Sequence, residues 1–416
     1  MKRKVNIWKA FALMFLMLMS PVAASAQKKE IQTAKDQVKA GKNLDQAAAS
    51  MKKLLADSAN RTNRKIWTIY FDAVRKQYEQ GNEKLYLKQK YDTAQLFNYT
   101  RQLFEVAFQY DSVETAPDRK GRRDFEFRKG HSDYLAHIRS NLYNGGIWFL
   151  NKKKYPDAYK FFDCYIECAS QPMFKQRNYG EKDKHLPTAA YYAVYSGYKM
   201  KDPKATLHHS YEALKDTVHY NYMLQYLAET YMLEKDTARY VASLNEGFKR
   251  VPTFPYFFPR LVEYYVVRNQ LDSAMTVVNE ALTVVPDSDV YLAAKSNLLL
   301  EQGKLQECIE VSKKVIEVNQ KLSDPYYNAG ICYFNFAVEQ DKNSHNSRKV
   351  KEQVEANYKK ALPYLVKYRE MEPKEQGKWA FPLYTIYLNL NMGKEFDENP
   401  QQKCRYNESF SERYWW

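Results

Sequence analysis

Three groups of side chains have types and spacings that could do chemistry. His208 and His209 are adjacent and His219 follows on the next helix, so these imidazoles could meet across a helix–helix junction and hold a metal. A zinc-type centre also wants carboxylates or thiolates at fixed geometry. The spacing supplies none, so packing or surface roles are expected for these histidines. Cys164 and Cys168 lie one turn apart on one helix, which suits small apolar packing. No C-x-x-C is present to make a redox or zinc site. S-x-x-K occurs at Ser50/Lys53 and Ser196/Lys199, in both cases inside expected helices and without the partner motifs that would activate a serine. There is no Walker-type glycine loop, no H-E-x-x-H and no G-x-S-x-G. The expectation is a non-enzymatic chain with no catalytic residue, no metal and no cofactor.

The elements that position these residues are helices. The chain has 13 glycines and 15 prolines in 416 residues, well below the ordinary combined usage of about 12%. It is rich in Ala, Leu, Lys, Glu and Gln and has no stretch of sustained alternation, which together read as helix. Clear amphipathic helices are expected at Asp45 to Asp57, at Arg64 to Gln80 and at Lys378 to Asn391, and Tyr91 to Tyr110 reads as a longer one. The 36 tyrosines take positions between helices that other sequences give to leucine.

Internal periodicity sets the architecture. Thr206, Tyr240, Ala274 and Cys308 are spaced by 34 residues. In the same register come Ala193, Leu227, Leu261, Lys295 and Ala329, then Val194, Ala228, Val262, Ser296 and Gly330. Three residues further lie Gly197, Tyr231, Tyr265, Leu299 and Tyr333, and Pro252 and Pro286 close two repeats at one offset. This pattern resembles the tetratricopeptide repeat: a large–small pair and an aromatic on a first helix, an alanine and an aromatic on a second, then proline. The resemblance implies an all-α fold, an α-solenoid of stacked antiparallel helix pairs in a right-handed superhelix. Neither helix of a pair can bury its apolar stripe alone, so stacking makes the core. Small residues such as Gly146, Ala228 and Ala274 let paired helices approach, and Tyr231 and Tyr265 are expected to fill the wedge between repeats.

Residues 27–132 read as degenerate N-terminal repeats and 133–376 as the repeat array. The array has insertions near 171–186, expected as a loop, and near 339–355, expected as an extended helix or mobile loop. Residues 377–416 read as a capping helix and tail. In tetratricopeptide proteins the first helices line a groove that holds a partner. The matching offsets here are Tyr143 and Ile147, then Tyr222, Gln225 and Glu229, then Glu263, Asn297, Tyr327, Ile331 and Asn335. The lysine-and-asparagine clamp by which some members hold a C-terminal carboxylate is missing, so that kind of peptide is not the expected ligand.

The first residues read as an export signal. Lys2, Arg3, Lys4 and Lys9 precede the apolar run Ala10 to Met19, and Ala24-Ser25-Ala26 supplies the small residues for cleavage after Ala26. The run is about half of the roughly 20 residues a spanning helix needs, and no later segment approaches that length, so no transmembrane segment is expected after cleavage. The first cysteine is Cys164, so no lipid anchor is expected either. Loss of the four basic residues lowers the formal charge from +15 to +11. The rest are dispersed apart from Arg119-Lys120-Gly121-Arg122-Arg123. Such a balance could favour an acidic partner or surface, but nucleic acid is a poor match for an exported protein. The expected location is the periplasm of a Gram-negative bacterium, or the outside of the cell. The expected function is a scaffold that binds another envelope protein or peptide, with self-association compatible. The alternative is a glycan- or nutrient-binding envelope protein of the kind that works with sugar-capture systems. Those are usually longer, lipidated and more heavily inserted than this chain.

Overall fold

The computed structural model describes residues 25–118, 120–342 and 348–397, and these contain helices and turns but no strand. Most of the stretch expected to be an export signal and the tail from 398 onward lie outside the described residues, and residues 25 and 26 open the first helix. None of the described helices is long and apolar enough to cross a membrane.

The chain divides into two compact units, residues 1–240 and 241–416. In the N-terminal unit α1 covers 25–40. It is followed by α2 (Leu44–Ala56), α3 (Arg64–Tyr86), α4 (Thr93–Glu114), α5 (Arg128–Ile138), α6 (Ser140–Asn151) and α7 (Tyr155–Glu167). Then come the short α8 (Tyr179–Lys182), α9 (Leu186–Met200), α10 (Pro203–His208), α11 (Ser210–Ala213) and α12 (Tyr220–Leu233). The unit boundary falls within α13 (Thr237–Arg250). The C-terminal unit continues with α14 (Phe257–Val266), α15 (Leu271–Val284), α16 (Asp289–Glu301) and α17 (Leu305–Val318). It ends with α18 (Asp324–Lys342), α19 (Arg348–Met371), α20 (Gln376–Asn389) and α21 (Gly393–Asp397). Successive helices pack on each other as hairpins: α6 on α7, α9 on α10, α14 on α15, α16 on α17 and α18 on α19.

Local sequence explains where the helices start. Asp92 accepts from the backbone N–H of Ala94 and Gln95 to begin α4, and Asp202 accepts from Ala205 N–H to begin α10. Each supplies an acceptor to amides that have no partner within the helix. The small residues of the register lie at close approaches. A β-carbon on Gly146 would come within 2.7 Å of the Phe162 ring, and one on Gly330 within 2.7 Å of Leu365. Ala228 and Ala274 are fully buried, as their offsets require. Tyr231 and Tyr265 differ from expectation, because both are only half-buried. The Arg239 guanidinium lies over the Tyr231 ring, 4.6 Å from its centre.

The first insertion is more ordered than a loop. Residues 171–186 contain a 3-10 helix at Pro172–Arg177 and then α8. The polar composition hid two anchors: Met173 and Phe174 are buried, and the Phe174 ring packs against Phe104, Phe108 and Tyr179. Asp183 then accepts from Arg139 Nη1 at 2.6 Å and from the Tyr165 hydroxyl at 2.7 Å. The insertion near 339–355 lengthens α18 and α19 to 19 and 24 residues, and residues 343–347 between them lie outside the described residues.

Candidate functional site: a tyrosine-lined face of the N-terminal unit

The first helices α6, α9 and α12 carry a connected line of aromatic rings. It begins at Tyr143 on α6, whose ring centre is 5.9 Å from Phe162, 5.8 Å from His185 and 6.4 Å from Tyr192 on α9. Tyr192 stacks on Phe162 at 5.4 Å and lies 6.2 Å from His219. Tyr191 stacks face to face on His219, 4.1 Å between centres at 12°. Tyr226 on α12 then gathers Tyr191, Tyr195 and Tyr198, the last stacked at 4.5 Å. Tyr222, one turn before Tyr226, ends the line and is 47% exposed.

Polar groups fix the line in place. Asp216 accepts from the backbone N–H of Val218 and His219 and from the Thr188 hydroxyl, and its other contact is His219 Nδ1 at 3.0 Å. Burial alone would raise the Asp216 carboxyl, but the bonds from His219 and Thr188 hold it below the usual carboxylate range. At the open end, Tyr198 Oη donates to Glu229 Oε2 at 2.6 Å, and Gln225 Nε2 donates to Glu229 Oε1 at 3.1 Å. Lys199 Nζ sits 5.3 Å from the centres of both Tyr195 and Tyr198. Burial pushes the Tyr226 phenol well above its ordinary range, so this ring is a neutral backing for the others.

What keeps the first helices in phase is a repeated backbone turn. Lys201, Lys235, Asn269 and Gly303, spaced by 34 residues, all take left-handed φ, between 55° and 69°. At each, the turn residue donates to the carbonyl three back: Tyr198, Met232, Val266 and Leu300. The residue after it donates five back, to Gly197, Tyr231, Tyr265 and Leu299. This pair of hydrogen bonds satisfies carbonyls that a helix end leaves open. Lys153 makes the same turn one period plus the first insertion upstream. Sequence register and backbone conformation therefore recur together, each time between two successive helices. The fold is an all-α series of helical hairpins like those of tetratricopeptide repeats.

No family model matches the chain, and no curated protein matches it. Among solved structures it is similar to the C-terminal part of a TPR repeat-containing protein from Cytophaga hutchinsonii. The identity is 11% over 61% of this chain and 90% of that one, with a TM-score of 0.39. A TPR repeats protein from Bacteroides fragilis gives 19%, 62%, 97% and 0.28 in the same order. The TPR2AB domain of yeast Sti1, solved as a pHSP90 complex, gives 15%, 72%, 98% and 0.25.

The groove offsets taken from tetratricopeptide proteins fall in both units. In the N-terminal unit Tyr143 and Ile147 are half-buried on α6, Tyr222 is exposed on α12, and Gln225 and Glu229 are half-buried beside it. Tyr143 and Tyr222 are the two ends of the aromatic line. In the C-terminal unit Glu263 and Asn297 are exposed, and Tyr327, Ile331 and Asn335 are half-buried. Asn297 Oδ1 accepts from Asn328 at 2.6 Å. Tyr327 packs 5.1 Å from Tyr368 of α19, with Lys378 Nζ 5.8 Å from its centre, so it serves helix packing there. The tetratricopeptide offsets named no residue on α9, yet Tyr191, Tyr195 and Tyr198 of that helix form the middle of the line. Their i, i+4, i+7 spacing was the available signal. His219 joins this stack and lies apart from any histidine cluster. His208 and His209 find a carboxylate instead: Asp163 Oδ1 is 2.7 Å from His209 Nε2 and 3.8 Å from His208 Nε2.

Proposed function

We propose that the chain is a non-catalytic scaffold of the cell envelope and that the face of α6, α9 and α12 grips an extended segment of another protein. The observation that carries this reading is the aromatic line itself, locked from behind and open at Tyr222. Rings already fixed by Phe162, His219 and Tyr226 lose little freedom when a ligand lies on them. Tyrosine, with an apolar body and a polar tip, is over-represented among residues that dominate binding. Gln225, Glu229 and the Tyr198 hydroxyl give a partner's backbone hydrogen-bonding edges beside the rings. Export rests on the basic and apolar stretches at the N-terminus and the small residues at Ala24 to Ala26.

The test places a photo-crosslinking residue at Tyr222 in the native cell, identifies the captured protein, and then measures its affinity for purified wild type and for Tyr222→Ala. Truncation is expected to weaken binding by about 1–2 kcal/mol at an unchanged melting temperature. Full binding by Tyr222→Ala and by Tyr195→Ala would overturn the reading. Capture of polysaccharide instead of protein at the same position would favour the glycan-binding alternative, and capture of a second copy of this chain would favour self-association.

A further inference from the structure

The second helix of a repeat is a single element of 14 residues in α13, α15 and α17. After α9 it is broken into α10, with six residues, and α11, with four. The break falls at His209, whose φ of −106° and ψ of 15° leave the helical region. In a continuous helix neighbouring side chains diverge by about 100°. Here the break turns two successive imidazoles toward one point, with ring centres 4.2 Å apart. That point is Asp163, in the middle of α7. The three donor atoms lie within 4.8 Å of one another.

We infer that Asp163, His208 and His209 form a binding site for a zinc-class divalent cation that ties α7 to the junction of α10 and α11. Two imidazoles and one carboxylate are a donor set for zinc and its first-row neighbours, whereas magnesium and calcium take oxygen ligands. Metal–ligand bonds of about 2.0–2.2 Å in a tetrahedron put the donors roughly 3.4 Å apart. The contacts of 2.7 and 3.8 Å to Asp163 Oδ1 lie on either side of that value, so side-chain shifts below an ångström close the set. The His209 side chain is 10% exposed, Asp163 28% and His208 53%, so the site is backed by protein and open on one side for a water ligand. Glu167, one turn along α7, adds negative charge. Burial and the nearby Asp163 raise its carboxyl above the usual range. Among the described residues no lysine or arginine pairs with Asp163 to take the place of a cation. The rival account is an ordinary hydrogen bond between His209 and Asp163, and it assigns no role to His208.

The decisive measurement uses the untagged, chelator-treated full chain, titrated with zinc against a competing chelator and followed by thermal unfolding with and without zinc. One zinc per chain and a higher melting temperature are expected, with no shift from magnesium. His208→Ala changes a half-exposed side chain and should lower zinc affinity at least tenfold, as should Asp163→Asn. His137→Ala, an exposed histidine on α5, should bind as wild type. Circular dichroism of each variant checks that the helices remain. No zinc uptake by wild type, or equal uptake by wild type and His208→Ala, would overturn the site.

Discussion

Gly197 on α9 lies so near the facing backbone of α10 that a β-carbon there would come 2.5 Å from the amide nitrogen of Thr206 and 2.7 Å from the carbonyl carbon of Ala205. Both obstacles are main chain, so no side chain can swing aside to relieve them. Overpacking of this kind costs about 1–3 kcal/mol, and the better helix propensity of alanine returns at most about 1 kcal/mol. Gly197→Ala is therefore expected to lower the urea midpoint. Gly130→Ala, on α5 with open space around it, should leave the midpoint unchanged or raise it.

Tyr226 and Tyr222 stand one turn apart on α12 but should answer differently to truncation. Tyr226 is 7% exposed under three other tyrosines, and emptying its place should cost about 3–5 kcal/mol by analogy with other large core aromatics. Tyr222→Ala should cost well under about 1 kcal/mol. Equal losses in thermal or chemical denaturation would mean that Tyr222 is a packing residue.

His131 offers a pH test. Its ring is enclosed by Phe71, Tyr110 and Phe127, and burial, followed by the nearby Arg75, lowers its pKa from 6.5 to about 4, against a smaller opposing pull from Asp111. The folded state thus prefers the neutral imidazole. Its contribution is whole above the unfolded value near 6.5 and is lost as pH falls from there through about 4. The slope is at most about 1.4 kcal/mol per pH unit and the total roughly 3 kcal/mol. Denaturation midpoints of wild type and His131→Phe between pH 7 and 4 should diverge, with the variant losing less. Parallel curves would remove His131 from the acid response.

Arg139 is held between the rings of Tyr165 and Tyr179, with its guanidinium carbon 3.7 and 3.9 Å from their centres, and its charge is met by Asp183. Both side chains are under a tenth exposed. Asp183→Asn would leave the buried cation uncompensated, for which the expected loss is about 3–5 kcal/mol. Because Asp183 also fastens residues 171–186, limited proteolysis of this variant should begin in that segment. Cleavage elsewhere first would show that Met173 and Phe174 hold it without the ion pair.

The sequence register told most of the fold and part of the aromatic line, for reasons visible in particular residues. Helix ends, the hairpin phase and the burial of Ala228 and Ala274 are local or repeat every 34 residues, so spacing along the chain reveals them. Contacts between neighbouring hairpins depend on how far each helix is rotated about its axis. Hence Tyr143 and Tyr222 were found at the ends of the aromatic line while the tyrosines of α9 between them were missed. Asp163 and His209 lie 46 residues apart and meet where the second helix breaks at His209. No periodic argument anticipates a departure from the period. The stretch from 171 to 186 misled in the opposite sense, since two apolar anchors and one carboxylate outweigh many surface polar residues.

The left-handed turns at Lys201, Lys235, Asn269 and Gly303 place the same backbone conformation at equal spacing, whatever side chain fills it. Removing the stretch from 270 to 303 would join two chain ends that already match in direction and hydrogen bonding. The natural step by which this chain can be shortened or lengthened is therefore one whole hairpin. A change of a few residues inside a helix would turn the positions beyond it off their shared face, whereas extra residues between helices are taken up as they are at 171–186.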